Sequence, residues 1–173
     1  MTGVQTCALP ICARWVKLWR RLDQLPSQSS LRIDQVGTAQ AETFGAVCLT
    51  AFEMPPQLRD VATATIGRPG WTHYLGFDGD TPVSTAALHV TGDVAWLGYG
   101  STLNAYRGRG WQTAMFARRL ADAHALGCRL AITETGEETE DEPVNHSYRN
   151  MVRLGFDLAY ARQNWVRRSA TIS

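Results

Sequence analysis

Between Trp71 and Gly100 three strand-like runs follow one another: Trp71 to Phe77, Val83 to Val90 and Val94 to Gly100. They are separated only by Asp78-Gly79-Asp80 and Thr91-Gly92-Asp93. Short Gly-centred connections of this kind join antiparallel neighbours, so the chain contains a three-stranded meander. What comes next restricts the fold further. A helical pattern runs from about Gly108 to Leu126, with Met115, Leu120, Ala123 and Leu126 on one face and Gly127 ending it. The apolar run Cys128 to Thr133 follows. A strand, a helix and a strand in that order put the two strands parallel. The class is therefore α/β, a mixed sheet with an antiparallel meander followed by a parallel strand pair, flanked by helices.

The other segments complete the order β-α-α-β-β-β-α-β-α-β. Leu31 to Val36 alternates as a half-buried strand does. Thr38 is expected to cap a helix through about Glu53, and Pro55 and Pro56 to open another to Ile66. A helix from about Asn145 to Leu154 and a final strand from Phe156 to about Val166 end the pattern. From Ala13 to Leu25, Trp15, Leu18, Trp19, Leu22 and Leu25 suit an amphipathic helix, although Trp15, Lys17 and Trp19 would equally suit an edge strand; the helix is preferred. Met1 to Ile11 carries no charge and no period, and resembles a translated sequencing adapter more than a signal peptide. Residues 1–12 are accordingly expected to be a non-native leader, 13–30 an N-terminal extension and 31–168 the domain.

Composition narrows the function. Seventeen Lys and Arg against sixteen Asp and Glu leave the 173-residue chain at a formal +1, and 45% of residues are hydrophobic. A basic nucleic-acid binder and a disordered chain are both disfavoured. No apolar run approaches the ~18 residues of a membrane span. Cys7, Cys12, Cys48 and Cys128 form no CxxC pair and the histidines are scattered singly, so no metal site is expected, and buried reduced thiols suggest a cytoplasmic protein.

The stretch that carries chemistry is Thr102-Leu-Asn-Ala-Tyr-Arg-Gly-Arg-Gly-Trp-Gln-Thr113, a strand end running through a glycine-rich turn into the longest helix. Gly108 and Gly110 let the backbone approach a ligand, and the unpaired N–H groups of the first helical turn point outward, which makes an anion site. Arg107 and Arg109 add charge. Neither a GxxxxGK[ST] loop nor a GxGxxG dinucleotide turn is present.

Arg107-Gly108-Arg109-Gly110-Trp111 resembles the cofactor motif of the GNAT superfamily of acetyl-CoA-dependent N-acetyltransferases, with Gln112 where that family usually has a small residue. A second motif, Asn145-His-Ser-Tyr-Arg-Asn-Met-Val-Arg-Leu-Gly-Phe156, is similar to the family's helix that ends in Leu-Gly-Phe before the last strand. The resemblance covers about Leu31 to Val166. It implies that the parallel strands splay apart and that acetyl-CoA, the acyl donor, lies in the cleft between them. Thr102 and Leu103 would be its strand-side contacts, and Arg107, Gly108, Arg109, Gly110, Trp111, Gln112 and Thr113 its phosphate contacts. Asn145 and Asn150 would bond the pantetheine arm.

Acetyl transfer to an amine needs a base and a proton donor for the thiolate. Glu134, following the apolar strand, is the candidate base. The resemblance implies a Tyr as acid four residues before Gly155, but Met151 stands there, so Tyr148 one turn earlier is the substitute candidate, with Ser147 beside it. Glu137, Glu138, Glu140, Asp141 and Glu142 form an acidic loop, and Trp71, His73, Tyr74, Trp96 and Tyr99 are candidates for an aromatic cage, although cross-strand packing is the commoner role. The implied activity is N-acetyl transfer to a small-molecule or peptide amine without a metal. The alternatives are a catalytically idle CoA-binding module or half of a two-domain protein.

Overall fold

A computed structural model describes residues 8–10, 14–140 and 144–167. Nine strands and four α-helices are present among them: β1 (Ala8–Pro10), β2 (Trp15–Arg21), β3 (Arg32–Val36), α1 (Ala41–Ala51), α2 (Arg59–Thr63), β4 (Trp71–Asp78), β5 (Thr81–Thr91), β6 (Val94–Thr102), α3 (Trp111–Ala125), β7 (Leu130–Gly136), α4 (His146–Arg153), β8 (Asp157–Arg162) and β9 (Trp165–Arg167). Seven strands form one sheet in the order β3-β4-β5-β6-β7-β2-β8, and β1 pairs with β9 separately. Every neighbour in the large sheet is antiparallel except β6 and β7.

The meander and the α/β order appear as the sequence implies. The parallel pairing of β6 and β7 runs only from Val94↔Leu130 to Leu97↔Thr133, whereas β6 continues to Thr102 and β7 to Gly136. The two strands therefore part beyond Leu97 and Thr133.

Alternation divides the sheet into two faces. Tyr74, Leu88, Ala95, Leu97 and Ala131 pack with Met115, Phe116 and Leu120 of α3, and Met151 and Phe156 join them. Leu75 on the other face packs with Phe44, Val47 and Cys48 of α1.

Three expectations are corrected. Residues 15–21 form a strand, not a helix, and it lies inside the sheet between β7 and β8. Val16 and Leu18 point into the core, and Arg20 is buried on the same side because its guanidinium donates to the carbonyls of Leu154 and Gln24. Residues set apart as an extension thus supply a sheet strand. Thr38 begins a 3-10 turn rather than capping α1, and Gln40 Oε1 accepts from the Gly37 N–H instead. The single final strand divides at Gln163-Asn164 into β8 and β9.

Candidate functional site

Gly108 and Gly110 both have positive φ, 76° and 85°, which an L side chain adopts only with strain. They turn the chain sharply from the end of β6 into α3. Among the described residues no side chain caps the α3 N-terminus, and no acidic residue stands in its first turn. Its N–H groups are thus left for a ligand, with the positive end of the helix dipole behind them. The side chain of Trp111 is buried, and its ring lies where a Cβ on Gly76 would stand, which anchors the first turn on β4.

A cleft of about 800 Å³ opens here between the end of α1, the parted end of β6 and the first turns of α3 and α4. Thr102, Arg107, Gly108, Gly110, Trp111, Gln112, Thr113 and Asn150, all named from the sequence, line it. Leu103, Arg109 and Asn145 are not among its lining residues. Leu103 packs against the α1 cluster. Arg109 stands over the Tyr106 ring and 3.6 Å from Asp78. Asn145 caps α4, accepting from the Tyr148 N–H and donating to the Gly136 carbonyl.

Gln112, the departure from the motif, turns away from the helix axis toward α4: its Nε2 donates to Ser147 Oγ at 2.9 Å and its Oε1 accepts from Asn150. The backbone N–H is left uncovered by this side chain. Arg107 donates to the Ala51 carbonyl, tying the glycine turn to the end of α1.

Two further features of the cleft escape the sequence patterns. Its lining includes Arg107, Arg119, Arg153 and His146 but, among the described residues, no carboxylate. Arg119 is 1% exposed, and its guanidinium donates to the carbonyls of Met115, Ala87 and Gly98. Burial pulls its pKa down to about 10, which leaves the group charged at neutral pH. It sits beside a bulge in the β5–β6 pairing, where Tyr99 adopts φ 52° and its carbonyl accepts from Thr85 Oγ1. On a helix face an arginine reads as solvated, and only the tertiary arrangement shows that strand carbonyls hold it inside.

Glu134 is the first residue of β7 beyond the last pair with β6, at the apex of the fork. It belongs to the opposite sheet face from α3, in a second cavity of about 280 Å³ with Lys17, Trp19, Trp96, Ile132 and Tyr160. Lys17 of β2 forms an ion pair with it. Desolvation, helped by Arg162, holds the Lys17 pKa below the ordinary lysine value. Tyr148 packs against the core, while Ser147 on the same turn faces the cleft. Met151 is 5% exposed within the core.

The aromatic residues form a cluster on the α1 face. Trp71 lies 5.8 Å from His73 and 5.7 Å from Trp96, and Trp96 lies 6.1 Å from Tyr99. The Trp96 ring occupies the space over Gly98 that any Cβ would need. Tyr74 points to the other face, where its hydroxyl donates to Asp122 Oδ2 at 2.8 Å. Of the acidic loop, Glu137 pairs with Arg14 and Glu138 with Arg149. Asp141 and Glu142 lie outside the described residues. Cys48 and Cys128 are buried thiols, and burial pushes the Cys48 thiol up to about 11. Cys7 and Cys12 lie outside the described residues. Among the described residues no helix is long and apolar enough to cross a membrane.

No protein-family model and no curated protein matches the sequence. Solved structures do. The chain is similar to a GCN5-related N-acetyltransferase from Kribbella flavida, with a TM-score of 0.68 at 20% identity over 95% of this chain and 62% of that one. A GCN5-related N-acetyltransferase from Sphaerobacter thermophilus matches with a TM-score of 0.71 at 18% identity, over 94% of this chain and 54% of that one. AAC(6')-Iy, solved with the bisubstrate analogue CoA-S-monomethyl-acetylneamine, matches with a TM-score of 0.63 at 16% identity, over 82% of this chain and all of that one. The chain therefore spans about three fifths or less of the first two proteins and the whole length of the third. The meander, the parting parallel strands and the glycine turn at the head of α3, together with these likenesses, give this chain the fold of the GNAT acetyltransferases.

Proposed function

We propose that the protein is an N-acetyltransferase that moves the acetyl group of acetyl-CoA to a small-molecule or peptide amine by direct attack. The observation that carries this reading is the α3 N-terminus, uncapped among the described residues, opening into a cleft whose described lining holds arginines and no carboxylate, beside two strands that part. A pyrophosphate matches that charge and those donors. The N–H groups of residues 110–113 and Arg107 would hold it, with Gly108 giving it room. Thr102 and the unpaired edges of β6 and β7 would bond the pantetheine amides as an added strand does. Asn150 would meet the arm from α4. Arg109, more than half exposed beside the turn, would add to the attracting field rather than grip a phosphate.

Glu134 at the fork would take the proton of the attacking amine, directly or through water, beside its ion pair with Lys17. The buried charge of Arg119 stabilises negative charge developing on the cleft side of the fork. A hydroxyl of α4 would return a proton to the thiolate: Ser147 faces the cleft, and Tyr148 is the alternative on the same turn. The buried thiols Cys48 and Cys128 support a reducing, cytoplasmic setting.

The test is release of CoA thiol from acetyl-CoA with a panel of amines. The enzyme reading expects acceptor-dependent release, reduced about 10²-fold or more in Glu134→Gln, the usual worth of a general base. Ser147→Ala and Tyr148→Phe then identify the acid. A second reading, a module that binds CoA without turnover, is favoured by the buried Met151 in place of a proton donor. It expects CoA binding with no thiol release from any acceptor.

A further inference from the structure

On the sheet face away from α3, strand register sets the side chains around the fork in two rows. Trp96 of β6, Ile132 of β7 and Trp19 of β2 are successive cross-strand partners. Two residues further along β7, Glu134 is opposite Lys17 of β2, which is opposite Tyr160 of β8. The first row is apolar, and the second holds one carboxylate and one amine. The rows stand about 7 Å apart, twice the rise of a strand residue. Both line the cavity of about 280 Å³ beside the apex of the fork.

Charge decides what such a cavity accepts. Among the described residues that line it, Glu134 is the sole carboxylate and Lys17 the sole cation, and the two are paired. Their side chains are only 28% and 23% exposed. Arg162 of β8 bears on Lys17 as a second cation. An ammonium that enters and takes Glu134 therefore leaves a largely desolvated lysine unpaired, with an arginine near it. An unpaired charge in such a place costs much of what the new contact supplies. An acceptor that brings its own carboxylate removes that cost, whereas a simple amine does not. The apolar row lies one aromatic side chain away from the charged pair, and Trp19, Ile132 and Trp96 offer a ring the surface it packs on. The volume is at the lower end for small-molecule sites, which suits a single amino acid and not an oligosaccharide.

We propose that this cavity takes a free aromatic α-amino acid as the acetyl acceptor, with the α-ammonium at Glu134, the α-carboxylate at Lys17 with Arg162 behind it, and the ring against Trp19, Ile132 and Trp96. For its chemistry this rests on the transferase reading above. The ammonium gives one proton to Glu134, and the freed nitrogen attacks the thioester carbonyl carbon. The carbon–nitrogen bond forms, the adduct loses a second proton, and the carbon–sulfur bond breaks. The thiolate takes up one proton as it leaves, so N-acetyl amino acid and CoA are formed with one proton released. Lys17 and Trp19 then set specificity: the lysine selects for the carboxylate and the tryptophan for the ring.

Three acceptors separate the two selections. L-phenylalanine carries both charges and the ring, phenethylamine lacks the carboxylate, and L-alanine lacks the ring. In thiol release from acetyl-CoA, kcat/KM for L-phenylalanine is expected to exceed that for each of the others about tenfold or more. Lys17→Met is expected to abolish the advantage over phenethylamine, chiefly through KM, and Trp19→Ala the advantage over L-alanine. Arg162→Gln, at an exposed position, is expected to act in the same direction as Lys17→Met and serves if the more buried variants do not fold. Binding of L-phenylalanine in the presence of saturating CoA, followed by tryptophan fluorescence, tests the site without turnover. Binding with no thiol release from any acceptor supports the site and removes the transferase reading. Thiol release from phenethylamine or L-alanine as good as from L-phenylalanine overturns the proposal and leaves the transferase reading standing. Absence of L-phenylalanine binding, or a Lys17→Met protein that discriminates as the parent does, also overturns the proposal.

Discussion

Gly110 holds φ at 85°, with nothing within 4 Å of where a Cβ would stand. Its cost on substitution is therefore conformational and not steric, about 1–2 kcal/mol for an L residue held left-handed. Gly110→Ala and Gly110→Asp should lose that similar amount in urea unfolding. Only the Asp variant should also lose CoA affinity through charge, because its carboxylate opposes the phosphates. Equal affinities for the two would separate the turn from the anion. His73 offers a different single-residue test. It is buried against Phe44 and Trp71 with its Nε2 3.0 Å from Thr65 Oγ1, and burial pulls its pKa down to about 4. The folded state keeps it neutral, whereas the unfolded chain protonates it near 6.5. Stability is therefore full above pH 6.5 and falls as the pH is lowered toward 4, by roughly 3 kcal/mol from this group. In His73→Phe that component of the pH dependence should vanish, which urea unfolding at pH 7 and pH 4.5 measures.

At the scale of elements, Asn145 carries more than its place in a helix motif. Its side chain accepts from the Tyr148 N–H at 3.0 Å and donates to the Gly136 carbonyl at 2.8 Å, so one residue caps α4 and fixes it to the end of β7. Asn145→Ala should cost about 1–2 kcal/mol of stability, and Asn145→Asp, which keeps the cap acceptor, less. Thermal unfolding of the two variants tests the difference. The role expected of Asn145 was a bond to the pantetheine arm, and the capping geometry was legible only as a helix start. The meander and α3 were readable because Gly-centred turns and a 3.6-residue period leave little choice. β2 was not. Trp15, Leu18, Trp19 and Leu22 fit a helical period, and the inward position of Arg20, satisfied by three carbonyls, interrupts the alternation that marks a strand. The bulge beside Tyr99 and the burial of Arg119 depend on contacts between α3 and the β5–β6 pair, which no local pattern contains.

For the molecule as a whole, a formal charge of +1 conceals a strong segregation of charge. Arg107, Arg119, Arg153 and His146 face one cleft with no carboxylate among its described lining, while Glu134 stands with Lys17 in the cavity on the other sheet face. The fork where β6 and β7 part lies between them, and the proposed reaction requires an anionic donor on one side and an amine on the other to meet there. That arrangement was legible in the sequence as a glycine turn and a strand-end glutamate, but the arginines beneath the turn and the lysine beside the glutamate were not. The central claim is that the head of α3 binds the diphosphate of CoA. The direct measurement is calorimetric titration of CoA into the wild-type protein and into Gly110→Asp, both shown folded by circular dichroism. Saturable binding by the wild type that is lost in the variant is the predicted result; no binding by the wild type, or unchanged affinity in the variant, contradicts the claim.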